Sequence, residues 1–292
     1  MPSVRDVLIE ARQKLSSLQV EAASNSSGNA STSSLDAELL LAEVMQVGRS
    51  FFYSDPNAEP SWAQLEDFQQ LLQRRLGGEP VAYLLGRQEF WSLVLKVNAA
   101  TLIPRPETEL LVELTLAKLD STESCRIADL GTGSGAIALA LASERPGWQI
   151  TATDISAEAL KVAEENRQAH HLENVILRQG EWLSALQGKF HAVVSNPPYI
   201  AAADPHLSSG NIRFEPELAL TPGADGLASF RQISAQAGDY LLPGGWLLFE
   251  HGFDQADQVQ CMLLAAGMDN IETLQDLEGL DRVTIGQYLE RG

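Results

Sequence analysis

An α/β fold built on an open, mostly parallel sheet of seven strands, with a small helical domain ahead of it, is what this 292-residue sequence predicts. Three observations predict it. From Arg126 onward, short apolar runs alternate with stretches of helical period, the order a parallel sheet requires because each strand needs a crossover to return. A glycine-rich loop, Gly131-Thr132-Gly133-Ser134-Gly135, stands where the first of these runs gives way to a helix. Residues 1–85, by contrast, carry almost only helical periodicity.

Taken in order, residues 3–18 place Val4, Val7, Leu8, Ala11, Leu15 and Leu18 at helical spacing, which predicts a first amphipathic helix. Residues 21–34 are rich in Ser, Ala and Asn and lack large apolar side chains, so a mobile loop is expected there. Helical period returns over 35–47, with Asp36 and Glu38 read as first-turn acids, and over 62–76, which ends at Gly77-Gly78. Residues 1–85 are therefore expected to form a helical substrate-recognition domain. Aromatic and β-branched residues between Arg87 and Val97 predict a short hairpin, and 86–105 is read as the linker. The run Ile103-Pro104-Arg105-Pro106-Glu107-Thr108-Glu109 stops the extended chain and opens a helix, so the catalytic domain is expected over 106–292. Its strands are read at 127–130, 149–153, 175–177, 192–195 and 246–249. The segments 268–274 and 282–288 are read as a terminal antiparallel pair.

Composition narrows the functional classes. The formal charge is −19, and Arg74-Arg75 is the single adjacent basic pair. Duplex DNA binding needs clustered cations to neutralise phosphates, so direct DNA binding is not expected. No apolar run is long enough to span a bilayer and the N-terminus has no signal-peptide pattern, so a cytoplasmic protein with no membrane association is expected. Nothing demands more than a monomer. Cys125 and Cys261 lack metal or redox spacing and are read as buried reduced thiols. The five histidines show no ligand spacing either, so no metal is expected.

The glycine loop carries the first chemical signal. Glycines permit tight turns and close ligand approach, and the free N–H groups that begin a helix attract electronegative atoms. The spacing is Gly-x-Gly-x-Gly, one residue shorter than the dinucleotide fingerprint, which favours S-adenosylmethionine over a nicotinamide cofactor. Asp154 ends the second strand about twenty residues on, where an acid can accept both ribose hydroxyl protons. Glu181-Trp182 follows the third strand, and Trp182 can lie against adenine. Seven strands with a terminal hairpin and these residues at their carboxyl ends describe a Rossmann-like, class I S-adenosylmethionine-dependent methyltransferase sheet.

Asn196-Pro197-Pro198-Tyr199 reaches the same edge, directly after the fourth strand. These residues suit methylation of a planar nitrogen, whose delocalised lone pair attacks poorly unless the group is held in one orientation. Asn196 offers a side-chain carbonyl for one N–H and Pro197 a backbone carbonyl for the other. Consecutive prolines stiffen the turn, and Tyr199 supplies a flat face. An adenine amine in DNA would satisfy the same two acceptors after base flipping, so DNA adenine N(6)-methylation is the alternative.

The whole chain resembles the release-factor glutamine N(5)-methyltransferases, the PrmC family once called HemK. The resemblance rests on the helical N-terminal domain, Glu89-Phe90-Trp91-Ser92, the run from Ile103 to Glu109, Asp129 to Gly135 and Ser195 to Ile200. It continues through Arg213-Phe214-Glu215-Pro216 and Phe249-Glu250-His251-Gly252. It implies methyl transfer from S-adenosylmethionine to the glutamine amide of the Gly-Gly-Gln motif in class 1 peptide chain release factors. It further implies that Asn196, Pro197, Pro198 and Tyr199 hold that glutamine. Gly131, Thr132, Gly133, Ser134, Gly135, Asp154 and Trp182 would hold the donor, with Asn196 touching it as well. Similar sequences often carry Asp where this chain has Glu181, a side chain one methylene longer.

Overall fold

The computed structural model describes residues 1–22, 30–119, 124–208 and 210–289. The chain divides into two compact units, Met1–Gly86 and Arg87–Gly292. The first contains helices α1 (Val4–Ala22), α2 (Ala30–Met45), α3 (Phe51–Ser54), α4 (Trp62–Leu76) and α5 (Val81–Leu85). Its core is made by Val4, Leu8, Ala11 and Leu15 of α1, Leu40 and Leu41 of α2, and Phe68 and Leu72 of α4. The repeat of these positions at three and four residues gives each helix one apolar face. A capping box at Ser61 and Gln64 closes the start of α4, a device worth about 1 kcal/mol.

Two expectations in this unit change. The loop expected at 21–34 is partly helix, because α1 runs to Ala22 and α2 begins at Ala30; residues 23–29 lie outside the described residues. Extending a helix already anchored by packing adds one hydrogen bond per residue fixed, so polar residues with tolerable propensity can join it. Asp36 and Glu38 consequently lie inside α2 rather than in its first turn. Both serve as ion-pair partners. Buried Glu38 accepts from Arg12 Nη2 and Arg49 Nη2, each at 2.7 Å, and Asp36 Oδ2 accepts from Arg75 Nε at 2.8 Å.

The second unit opens with the hairpin β1 (Arg87–Phe90) and β2 (Leu93–Lys96), whose turn residues Trp91 and Ser92 have φ of 51° and 69°. Two successive positive φ angles give the turn the twist that matches its strands. A 3-10 turn, Pro106–Thr108, leads into α6 (Glu109–Lys118). The sheet follows in the chain order β3 (Arg126–Leu130), α7 (Ala136–Glu144), β4 (Gln149–Asp154), α8 (Ala157–Ala169), β5 (Val175–Gln179) and β6 (Phe190–Ser195). It ends with α9 (Ala228–Tyr240), β7 (Leu241–Glu250), α10 (Ala256–Ala265), β8 (Asp269–Gln275) and β9 (Asp281–Gln287). Across the sheet the strands lie β5-β4-β3-β6-β7-β9-β8, with β9 antiparallel to both neighbours and the other pairs parallel.

Alternation along the strands divides the core between the two faces. Ile127, Ile150, Ala192, Val194 and Leu248 pack with α6 and α7 on one side. Ala128, Leu130, Val193, Leu247 and Phe249 pack with Phe230 and Ile233 of α9 and Val259 and Leu263 of α10 on the other. Cys125 is buried, but Cys261 is exposed, against expectation. On α10 the buried positions are Ala256, Val259 and Leu263, and Cys261 stands two residues from the last two, on the far side of the helix.

Candidate functional site

Strand order fixes where the site lies. The chain leaves β3 toward β4 and β5 on one side and returns to place β6 on the other, so β3 and β6 flank a topological switch point where an open sheet forms a crevice. In register, Leu130 faces Thr153 of β4 and Ser195 of β6. The glycine loop, Asp154 and Asn196 therefore emerge side by side.

The loop is held by its own backbone and by buried side chains. Gly131 and Thr132 both donate N–H to the Thr153 carbonyl at 2.9 Å. Thr132 Oγ1 donates to Asp129 Oδ2 at 2.6 Å, and Asn166 Nδ2 donates to the Ser134 carbonyl at 2.8 Å. The same Asn166 also accepts from Lys96 N at 2.6 Å, tying the hairpin to the loop. Gly131, Gly133 and Gly135 take φ of 72°, 57° and 89°, conformations open to glycine at little cost. A Cβ on Gly135 would meet Leu139 at 3.0 Å, so this glycine also permits close packing of α7.

Asp154 is bound from both sides. Its Oδ2 accepts from Gly133 N at 2.9 Å and its Oδ1 from Ser156 N at 2.8 Å. Burial raises its pKa above the ordinary carboxylate value, against the N–H groups of Ser156 and Gly133 that favour the charge. Asp129 is fully buried, and burial pushes its carboxyl up to about 7 despite the bonds from Thr132 and Ala138. Trp182 has φ of 48°, unusual for a bulky residue, and its ring edge lies 3.3 Å from where a Gly131 Cβ would be. Glu181 Oε1 accepts from Gln232 Nε2 at 3.1 Å, so α9 holds that carboxylate.

Gly131, Gly133, Asp154, Trp182, Asn196 and Pro198 line one cleft of about 310 Å³, a size within the range of small-ligand sites. Thr132 and Ser134 are buried and serve as supports. The lining also includes the apolar residues Leu102, Pro216, Leu218 and Pro222. Buried Glu215 ties two parts of it together, accepting from Ile103 N at 3.0 Å and pairing with Arg105.

The tetrapeptide turn is fixed by residues distant from it in sequence. Gln255 Nε2 donates to the Tyr199 carbonyl at 3.0 Å while its Oε1 accepts from Gly252 N at 3.0 Å. A Cβ on Gly226 would fall 2.4 Å from the Tyr199 carbonyl oxygen, so only glycine lets this segment approach. Asn196 Nδ2 donates to Thr108 Oγ1 at 3.2 Å. Tyr199 is half-buried against the core, and burial, then nearby Glu250, raises its phenol pKa. Arg74 and Arg75 are engaged with Glu79 and Asp36, so the one basic pair is not a phosphate clamp. Among the described residues, no group of His, Cys, Asp and Glu is placed to hold a metal, and no helix is long and apolar enough to cross a membrane.

Residues 107–211 match the family model of the methyltransferase small domain, and residues 6–86 that of the PrmC N-terminal domain. The release factor glutamine methyltransferase of Xylella fastidiosa is 51% identical over 254 residues, covering 87% of this chain and 92% of that protein. The one of Pseudomonas aeruginosa is 53% identical over 255 residues, with the same coverage. The one of Vibrio cholerae is 48% identical over 284 residues, 97% of each chain. Among solved structures, a methyltransferase from Pyrococcus furiosus aligns over 76% of this chain and all of its own, with a TM-score of 0.53 and 16% identity, a likeness of fold alone.

Proposed function

The chain belongs to the release factor glutamine methyltransferase family, and we propose that it methylates the side-chain amide of the glutamine in the Gly-Gly-Gln motif of class 1 release factors, using S-adenosylmethionine. The observation that carries this reading is the single cleft lined both by Gly131, Gly133, Asp154 and Trp182 and by Asn196 and Pro198. A donor site and an acceptor site share one wall.

The residues present fit the donor. No atom stands within 4 Å of where a Gly133 Cβ would be, so the loop backbone is open to a ligand on that side. Asp154 uses one lone pair of each oxygen on backbone N–H groups and keeps the others for hydroxyl protons. Trp182 offers a ring beside Gly131. When bound, S-adenosylmethionine supplies an electrophilic methyl group on a sulfonium.

Everything else falls to the protein. Asn196 Oδ1 and the Pro197 carbonyl each accept a hydrogen bond from one N–H of the substrate amide and so fix the plane of its nitrogen. Holding it in a reactive orientation replaces a large entropic cost of encounter. Leu102, Pro216, Leu218 and Pro222 give the cleft an apolar surface beside these polar groups.

The test is incubation with isotopically labelled S-adenosylmethionine, followed by mass spectrometry of the Gly-Gly-Gln peptide released from purified factor. One added methyl on the glutamine is expected. Label entering adenine in a DNA control, with none on the factor, would overturn the assignment.

A further inference from the structure

Strands β6 and β7 run side by side with Ser195 opposite Phe249, so Asn196, just after β6, and Glu250, the last residue of β7, lie at the same end of the sheet. Glu250 is only 1% exposed. A carboxyl buried to that degree is normally neutralised by a direct cation partner. Arg282, the nearby cation, hydrogen-bonds to Asp276 Oδ2 at 3.1 Å and to the His251 carbonyl at 3.2 Å, and acts on Glu250 through its charge. The hydrogen bonds that favour the Glu250 carboxylate come from Thr108 and Asn196, and its Oε2 is buried with no partner.

Burial pushes the Glu250 carboxyl up to about 7; above that pH, where the group is a carboxylate, the donor and acceptor inventory of these three residues has one consistent solution. A carboxylate only accepts, and a threonine hydroxyl has a single proton to give. Thr108 gives that proton to Glu250 and turns its lone pairs to Asn196. The end of the Asn196 amide beside Thr108 must then be the NH₂ group, in agreement with the Nδ2–Oγ1 distance of 3.2 Å. That leaves Oδ1 for the cleft that Asn196 lines.

We propose that Glu250 is a positioning residue which, directly and through Thr108, fixes the Asn196 side chain so that its carbonyl and not its NH₂ group meets the substrate nitrogen. The inference rests on the reading of Asn196 as an acceptor for the glutamine amide. A flipped Asn196 would set two donors against each other at the reacting centre. A glutamine at position 250 has the shape of Glu250 but can donate, so it can reverse the relay: its NH₂ donates to Thr108, Thr108 donates to Asn196 Oδ1, and the Asn196 NH₂ faces the cleft.

Steady-state kinetics on a Gly-Gly-Gln peptide with labelled S-adenosylmethionine test this in the full-length protein. Glu250→Gln and Thr108→Val should each lower kcat by about ten- to a hundredfold, the effect of an unmade buried hydrogen bond, with donor KM changed less than about twofold. Thr108→Ser, which keeps the hydroxyl, should restore most of the loss seen in Thr108→Val. Near wild-type kcat in Glu250→Gln would overturn the proposal, as would equal damage by Thr108→Ser and Thr108→Val, the mark of a residue that only fills space. A second measurement does not depend on turnover. The Asn196 side-chain NH₂ resonances, identified by their loss in Asn196→Asp, should show two slowly exchanging protons, one held by Glu250 and one by Thr108, and the second should exchange fast in Thr108→Val; slow exchange of both in that variant would refute the relay. Wild-type protein that methylates no glutamine would instead defeat the reading of the site, and the exchange measurement would still decide the hydrogen-bond relay.

Discussion

The Asp154 carboxylate accepts the backbone N–H of Gly133 at 2.9 Å, which makes the acid at the end of β4 and the loop after β3 one mechanical unit. Asp154 thus braces the glycine loop, and in the proposed donor site it also accepts from the ribose hydroxyls. Asp154→Ala should raise the donor KM by about tenfold or more, the order expected for lost bonds to a charged acceptor. Because this contact is remote from the reacting methyl and about equal in ground and transition states, kcat should change little. Asp154→Asn keeps one acceptor and sets an NH₂ against a backbone N–H, so it should fall between the two. Calorimetric titration of the donor beside initial-rate kinetics checks both; a large loss in kcat with unaltered donor binding would move Asp154 out of the donor site.

Asn196→Ala should nearly abolish turnover on release factor, by about a hundredfold or more, because a preorganised acceptor at the reacting nitrogen is lost. Donor affinity should fall much less. Single-turnover rates at saturating donor measure the effect, and a rate close to wild type would remove Asn196 from the acceptor site.

The helical unit should supply recognition of the intact release factor, since the lining of the cleft comes from residue 100 onward. Removal of residues 1–86 should leave donor binding in place, because each unit encloses its own apolar core. On intact factor kcat/KM should drop far more than on a short Gly-Gly-Gln peptide. Equal losses on the two substrates would show instead that the helical unit maintains the catalytic fold.

Buried Asp129 gives the fold a definite pH dependence. Its folded pKa of about 7 lies above the ~3.9 of an unfolded aspartate. Between those values the native state binds more protons than the unfolded chain, so this group's contribution to stability declines as pH rises from about 4 to about 7 and is level above. Asp129→Asn has no such proton. The stability difference, wild type minus variant, should therefore be largest near pH 4 and shrink toward pH 7 in urea unfolding series. A difference that stays constant across that window would contradict the raised pKa.

Sequence alone determined the elements whose signals are local. Short apolar runs between helical stretches marked the strands at 127–130 and 149–153 that appear as β3 and β4, since a central parallel strand is covered on both faces and is apolar along most of its length. The glycines of 131–135 announced a turn with positive φ because other residues pay for that conformation. Asp154 and Asn196 were legible from their places just after such runs.

Tertiary structure decided what lies beside what. Asn196 and Thr108 are 88 positions apart, and Gln255 and Tyr199 are 56 apart; neither spacing carries a helical or strand period. Their contacts exist because β6 and β7 are neighbours and the turn before α6 reaches the same edge, a matter of strand order and register. For the same reason Gln255 had no sequence signal of function and Glu250 stood in a family-like stretch with no role attached; Asp36 and Glu38, expected as first-turn acids, lie inside α2, and Cys261, expected to be buried, is exposed. Periodicity records the conformation of a residue and which side of its own element is apolar. Which distant polar groups then share hydrogen bonds depends on how the elements assemble, and in this protein those shared bonds set the orientation of Asn196.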